Sequence, residues 1–106
     1  GRIWPWGNEM REGLANVESE GVWPVGKTSP ESDSPYGCAD MSGNIWEWTA
    51  STFRYYPYLI EEGDEEGARV LRGGAWFFEA RHARCTARRR AMPDEAREFI
   101  GFRCAI

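Results

Sequence analysis

A Ser-Gly-Asn turn between two carboxylates, in the segment from Asp40 to Glu47, sets the tightest limit on the fold of this chain. Glu47 lies between Trp46 and Trp48, so it must face water or meet a positive partner, because an unpaired buried charge is very costly. Calcium takes carboxylate oxygens together with backbone carbonyls from a tight turn. The segment therefore predicts a calcium-binding loop or, alternatively, a plain turn with a solvated glutamate.

The composition indicates one small, loop-rich domain. The chain has 106 residues, and its 12 Gly and 6 Pro argue against long helices, while 6 Trp, 5 Phe and 4 Tyr are enough to fill a core. No apolar run is long enough to span a bilayer and no signal-peptide pattern opens the chain, so we expect no membrane partner. The abrupt apolar start at residues 1–6 indicates a fragment or one half of a larger domain.

Charge is distributed unevenly along the chain. Residues 1–68 carry 4 basic and 13 acidic side chains, a net charge of -9, whereas residues 69–106 carry 9 Arg and 4 acids, a net charge of +5. An acidic first part suits cation binding, and the two parts are expected to pair across the fold. The arginines are spread among Ala, Glu and Asp, so the signal for nucleic acid is weak.

Hydrophobic alternation and turn residues predict short elements. Strands are expected at 44–52, at 68–76 with an end or bulge at the Gly pair, and at 98–106. Residues 21–39 read as an irregular loop, and residues 80–91 fit either a short helix or a strand. An aromatic cluster at 53–60 precedes an acidic run at 61–67, which we interpret as a solvated loop tip.

The three cysteines, Cys38, Cys85 and Cys104, are too few for a disulfide-built mini-protein. None forms a Cys-x-x-Cys pair, which argues against a zinc ribbon. Their odd number allows one internal bridge at most, free thiols, or bridges to a part of the protein outside this sequence.

Four segments in order resemble the formylglycine-generating enzyme family, also called the sulfatase-modifying-factor family. The segments are Trp4-Pro5-Trp6-Gly7-Asn8, Pro35-Tyr36-Gly37-Cys38-Ala39-Asp40-Met41-Ser42-Gly43-Asn44-Ile45-Trp46-Glu47-Trp48, Arg69-Val70-Leu71-Arg72-Gly73-Gly74-Ala75-Trp76 and Gly101-Phe102-Arg103-Cys104-Ala105. The resemblance covers nearly the whole chain. It implies that residues 1–106 are the C-terminal part of a single family domain. It implies an α+β, C-type-lectin-like fold with little regular secondary structure and small, mostly antiparallel sheets.

The resemblance also implies bound calcium as a cofactor. One family site uses two side-chain and two backbone oxygens, which carry over to Asp40, Gly43, Ile45 and Glu47. A second family site begins at Asn16 and Val17, and its later ligands come from a loop that is shorter here. Glu18 or Glu20 is a possible substitute in that loop. The alternative is a loop held by Asn16 hydrogen bonds without metal.

The family's oxidase chemistry converts a sulfatase cysteine to formylglycine with oxygen and a copper(I) ion, which prefers soft thiolate ligands. In the enzymes two cysteines lie just after the Gly-Gly motif, but residues 77–84 of this chain contain none. Cys85 and His82 form a conceivable nucleophilic pair, although a lone His is more often a packing residue. The absent cysteine pair argues against the oxidase, which remains the alternative function.

We therefore predict a non-catalytic, calcium-stabilised ligand-binding or regulatory module, and the resemblance includes a branch of retroelement-diversified variable proteins. That branch implies a ligand surface within residues 77–98, with Phe77, Phe78, Glu79, Arg81 and His82 as candidates. The expected partners are a protein or small ligand on this surface and the missing N-terminal part of the same domain or protein. The competing interpretation places both Phe rings partly in the core and pairs the arginines with the acidic part.

Overall fold

The computed structural model describes residues 2–52 and 68–104, so the predicted aromatic cluster of 53–60 and acidic tip of 61–67 lie outside the described residues. The described strands are β1 (Trp46–Thr52), β2 (Arg69–Arg72), β3 (Arg89–Ala91) and β4 (Ile100–Gly101). A single 3₁₀ turn, Ala80–Ala83, is the helical element of the described part. The described part of the chain holds no helix with the length and apolarity that a bilayer crossing needs.

The strands form one mixed sheet in the order β3-β2-β1-β4. β1 pairs antiparallel with β2, in a register that sets Trp48 opposite Leu71 and is irregular between Trp48 and Thr52. β2 pairs antiparallel with β3, whereas β4 runs parallel to β1 and pairs with its first two residues. The inner strand β1 thus begins within the last residues of the 40–47 segment. The loop therefore lies at the end of the sheet where β1 starts.

Most predicted elements are confirmed, with two corrections. The strand expected at 98–106 is wrong in extent within the described residues, because β4 covers only Ile100–Gly101 there and pairs with Trp46 and Glu47. Phe102 then leaves the sheet with 74% of its surface exposed. Residues 80–91 form neither one helix nor one strand, since the chain makes the 3₁₀ turn and then enters β3.

The main core is small and is built around one indole. Trp46, Leu71, Ala75 and Ala91 are buried, and four partly buried apolar side chains pack against them, the rings of Trp48, Phe78 and Phe99 and the aliphatic chain of Ile100. Trp46 is 1% exposed. Large rings beside alanines fill the space between short strands, and burial of such apolar surface stabilises the fold at about 25 cal/mol per Å².

Close backbone contacts join the sheet to the segments around it. A Cβ atom on Gly74 would lie 2.9 Å from Ala83 Cα, so glycine lets the end of β2 contact the 3₁₀ turn directly. A Cβ atom on Gly43 would lie 2.7 Å from the backbone N and O of Asn16. Both glycines have positive φ, which residues with a Cβ atom seldom adopt. These two contacts hold the loop and the turn against the sheet.

Candidate functional site

The 40–47 loop contains three residues in the left-handed region. Asp40, Gly43 and Asn44 all have positive φ, at 55°, 80° and 72°. Glycine, asparagine and aspartate tolerate this conformation best, which is why these residue types make the loop. Gly43 N donates to Gly73 O at 2.6 Å, so the tip of the loop is fixed to the end of β2.

Asn44 connects three segments, a role that the sequence pattern did not reveal. Its side-chain oxygen accepts hydrogen bonds from Trp23 N at 2.8 Å and from Asn16 Nδ2 at 3.0 Å, and its Nδ2 donates to Trp23 O at 3.1 Å. Its backbone N donates to Asn16 O at 2.9 Å. The Gly-Asn pair signals a turn in any sequence, whereas partners 21 to 28 residues away are visible only in the folded chain.

The structure brings the four residues of the first predicted calcium site together around one cavity. Asp40, Gly43, Ile45 and Glu47 all line a cavity of about 240 Å³. Gly26 N donates to Asp40 Oδ2 at 2.7 Å, which orients this carboxylate. The donor set consists of oxygen atoms from two carboxylates and a turn, which is the chemistry that calcium selects.

Arg103 is a further residue of this site, and the sequence interpretation did not include it. Its Nε donates to Glu47 Oε2 at 2.7 Å, and its two terminal nitrogens donate to Ala39 O at 2.7 Å and Asp40 O at 2.9 Å. Glu47 therefore has the positive partner that its position between two indoles requires, and that partner is a guanidinium. The sequence signal for this contact is the Gly-Phe-Arg segment, because it supplies a cation just after the strand that pairs with Glu47.

The loop offers oxygen donors of the kind that calcium takes, and a bound ion would have to accommodate the arginine. Within residues 2–52 and 68–104 no group of three or more His, Cys, Asp or Glu side chains converges on a point. A metal in the loop would depend on backbone carbonyls for part of its coordination, and one of the loop carbonyls, that of Asp40, already accepts a hydrogen bond from Arg103. The cation would have to share the cavity with this guanidinium or displace it.

The second predicted calcium site begins at a residue that is fully hydrogen-bonded. Asn16 is 2% exposed, and its Nδ2 donates to Gly21 O at 2.9 Å as well as to Asn44. Its Oδ1 accepts a hydrogen bond from the Ser19 hydroxyl. Val17 N donates to Ala15 O at 3.2 Å, and Glu18 is exposed. These contacts favour a loop held by Asn16 itself, and metal binding at Asn16 and Val17 stays a prediction.

The predicted ligand surface divides into an outer and an inner group. Phe77 is 69% exposed, and Glu79 pairs with Arg81 at 3.6 Å on the surface. Phe78 and His82 instead turn toward the core, where the Phe78 ring lies 5.4 Å from that of Trp46 and 5.5 Å from that of His82. The side chains of these five residues do not all share one exposed face, and ligand binding by them stays a prediction.

Residues 77–84, where the resemblance implies a cysteine pair in the enzymes, make packing contacts in this chain. Phe78 also lies 5.3 Å from Phe99, and the buried Ala83 accepts a hydrogen bond from Ser42 Oγ at 2.6 Å. The three cysteines are exposed and free. No hydrogen bond joins Cys85 to His82 among the described residues, and the Cys85 N–H donates to Ile3 O at 2.8 Å.

Comparison with known proteins places the chain in one family. Residues 2–106 match the family model described as the sulfatase-modifying factor enzyme 1-like domain. The inactive C-alpha-formylglycine-generating enzyme 2 of Bos taurus is 34% identical over 99% of this chain and 38% of its own length. The serine/threonine-protein kinase pkn1 of Chlamydia caviae is 36% identical over 96% of this chain and 17% of its own length.

The fold agrees with that of a solved relative. The Treponema denticola variable protein 1 superposes with a TM-score of 0.77 at 24% identity, over 96% of this chain and 40% of its own. The chain thus spans less than half the length of these proteins.

Proposed function

The chain belongs to the family of the sulfatase-modifying factor enzyme 1-like domain, and we propose that it serves as a non-catalytic, calcium-stabilised binding or regulatory module. The observation that carries the proposal is the aromatic packing of residues 77–84 in place of a cysteine pair. Phe78 packs on Trp46, and Ala83 is buried against Gly74. Copper(I) binding requires thiolates that this stretch does not supply.

Two of the similar proteins support a role apart from catalysis. One similar protein is named inactive, and another is a protein kinase in which the matching region is 17% of the length. A domain that accompanies a kinase in one chain is suited to binding or regulation. On the C-type-lectin-like framework that the resemblance implies, the exposed Phe77, Glu79 and Arg81 are the candidate contacts for a protein or small ligand. The fold of the variable protein supports the same type of framework and says nothing of the ligand.

Calcium would be held by Asp40, Gly43, Ile45 and Glu47. The four residues line one cavity, and Glu47 lies at the start of the central strand, so a cation there would connect the loop to the sheet. When bound, the ion would supply positive charge and rigidity, not redox chemistry. The residues of the chain do the rest by orienting the carboxylates, as Gly26 does for Asp40.

A thermal melt with and without a calcium chelator tests this proposal. A ligand at about 100 times its Kd stabilises the folded state by about 2.7 kcal/mol, which raises the Tm of a domain of this size by about 10 °C or more. We expect the E47Q substitution to lower the calcium-dependent part of the Tm, and the matched control E31Q, on an exposed residue, to leave it unchanged. A Tm that changes neither with the chelator nor with the E47Q substitution would reject calcium binding in the loop.

The alternative function, a formylglycine-generating oxidase, predicts a different result. Such an enzyme would bind copper(I) and convert the cysteine of a sulfatase peptide to an aldehyde in the presence of oxygen. We expect neither event, because the cysteines of the chain lie outside 77–84. Mass spectrometry of the peptide after incubation with the copper-loaded protein decides between the two functions.

A further inference from the structure

A second cavity, which also borders the 40–47 loop through Met41 and Ser42, has the features of a small-molecule site. Its volume is about 610 Å³, and the N-terminal turn at Trp4, the loop at Met41 and the segment from Arg84 to Thr86 surround it. It shares no lining residue with the cavity of the calcium loop. The volume lies within the range of about 300–1,000 Å³ that is typical of small-molecule sites.

The walls of this cavity are apolar and held in place. Trp4 is 6% exposed and stacks on Trp6 with 5.7 Å between ring centroids. Trp4 N and Gly7 N each donate to the other residue's carbonyl, at 2.8 and 3.1 Å, which closes the N-terminal turn. The bond from Cys85 N to Ile3 O fixes the opposite wall to this turn. The cavity is therefore formed before any ligand enters.

Positive charge surrounds these apolar walls. Three arginines, Arg2, Arg72 and Arg84, line the cavity, and none of the described lining residues is acidic. Arg2 donates to Pro5 O at 3.2 Å and Arg84 Nε donates to Arg81 O at 2.9 Å, so both of these bonds go to neutral backbone carbonyls. Arg72 is held by the carbonyls of Cys85 and Ala87 at 3.1 and 3.2 Å.

The pKa of the Cys85 thiol responds both to burial and to the positive charge around this cavity. Desolvation raises the pKa of Cys85, while its backbone hydrogen bond and the positive charges of Arg2 and Arg72 act in the opposite direction. The thiol is thus partly shielded from solvent and within reach of the positive charges of two guanidinium groups. Guanidinium groups in such surroundings favour a carboxylate or sulfonate partner.

We propose that this cavity binds a small organic anion, with its aromatic or aliphatic body against Trp4 and Met41 and its charged group on Arg2 and Arg84. The site includes Met41 and Ser42 of the 40–47 loop, but none of the four predicted calcium ligands and no residue of the surface from Phe77 to His82, so it goes beyond the proposed function. The three arginines and the volume of the cavity favour a small anion over a neutral apolar ligand.

The experiment uses 1-anilinonaphthalene-8-sulfonate as the anionic probe and N-phenyl-1-naphthylamine, which lacks the sulfonate, as its neutral counterpart. The alkylation rate of Cys85 by iodoacetamide is followed by mass spectrometry at increasing probe concentration. Cys104, which is exposed and does not line the cavity, is the control thiol in the same molecule. We expect the anionic probe to slow alkylation of Cys85 several-fold, with no change at Cys104 and a weaker effect of the neutral probe.

A pair of arginine variants then tests the charge. We expect R84Q to weaken protection by the anionic probe about tenfold, which is what loss of one charged hydrogen bond costs, and R97Q, at an exposed arginine that does not line the cavity, to change nothing. Equal protection by both probes, equal protection of both thiols, or no protection at all would each overturn the proposal. The probe comparison on the unchanged chain stands even where R84Q fails to fold.

Discussion

At the scale of single residues, the position of Glu47 explains most of the candidate metal site. An acid between two indoles needs a positive partner, and the chain offers Arg103 from a distance of 56 residues. The same guanidinium also donates to two loop carbonyls, so one side chain connects the end of the described chain, the loop and the central strand. Any cation that binds in the loop must therefore be considered together with Arg103.

We expect R103M to destabilise the protein by about 1 kcal/mol in the presence of chelator. The pair of Arg103 and Glu47 is partly exposed, with 41% and 17% of the side chains accessible, so solvent screens much of its energy. Chemical denaturation measures the change, and R97M on an exposed arginine is the matched control. In calcium the loss should shrink, because the ion replaces the missing positive charge. An identical loss of unfolding free energy in chelator and in calcium would contradict the idea that Arg103 and the calcium ion both neutralise Glu47.

The Cys85 thiol gives a prediction for pH. Its pKa is raised in the folded state, first by desolvation, so the unfolded chain loses this proton at lower pH than the folded chain. Its contribution to stability is present below the unfolded pKa and is lost as the pH rises through the folded pKa. The iodoacetamide rate of a variant that keeps only Cys85 should reach its midpoint at higher pH in buffer than in urea. Coincident midpoints would contradict the desolvation of this thiol.

At the scale of elements, the short strands depend on loops that contact them through backbone atoms. The bridge between Asn16 and Gly43 lies outside the named strands, yet it fixes the loop that enters β1. Asn44 and Asn16 complete this connection with side-chain hydrogen bonds. In these irregular segments, as in strands, the buried polar groups are paired within the fold.

Gly43 and Gly37 allow the cost of close contact to be separated from the cost of backbone strain. They have φ of 80° and 79°, but a Cβ atom on Gly37 would meet nothing within 4 Å. We expect G37A to cost the left-handed strain, about 1–2 kcal/mol, and G43A to cost about 1–3 kcal/mol more, because its Cβ would overlap Asn16. Urea denaturation in chelator measures both. Equal costs would show that the loop can move away from Asn16.

At the scale of the whole molecule, one aromatic cluster joins the sheet to the segments after it. Phe78 contacts Trp46 of β1, Phe99 before β4 and His82 of the 3₁₀ turn. The guanidinium of Arg89 in β3 lies 5.1 Å from its ring centroid. Charge also acts at this scale, since the ion pair of Arg103 and Glu47 connects the arginine-rich part of the chain to the acidic part.

Adjacent phenylalanines provide a test of this packing. We expect F78A to lower the free energy of unfolding by about 2 kcal/mol or more, as for loss of a core-packed ring, and F77A, on a ring that is 69% exposed, to change it by less than about 0.5 kcal/mol. Thermal melts of the two variants measure the difference. The opposite order of effects would place Phe77 in the core and leave Phe78 as the ligand-contacting ring.

The sequence by itself determined the family, the central strand, the turn that precedes it and the absence of a cysteine pair in residues 77–84. These features depend on neighbouring residues, whose periodicity, turn preference and side-chain chemistry can be read locally. The tertiary structure alone decided that Arg103 meets Glu47, that Phe78 turns inward while Phe77 does not, and that three arginines surround the cavity beside Trp4. Those facts join residues far apart in the chain, and only the packing of the folded backbone brings them within contact distance.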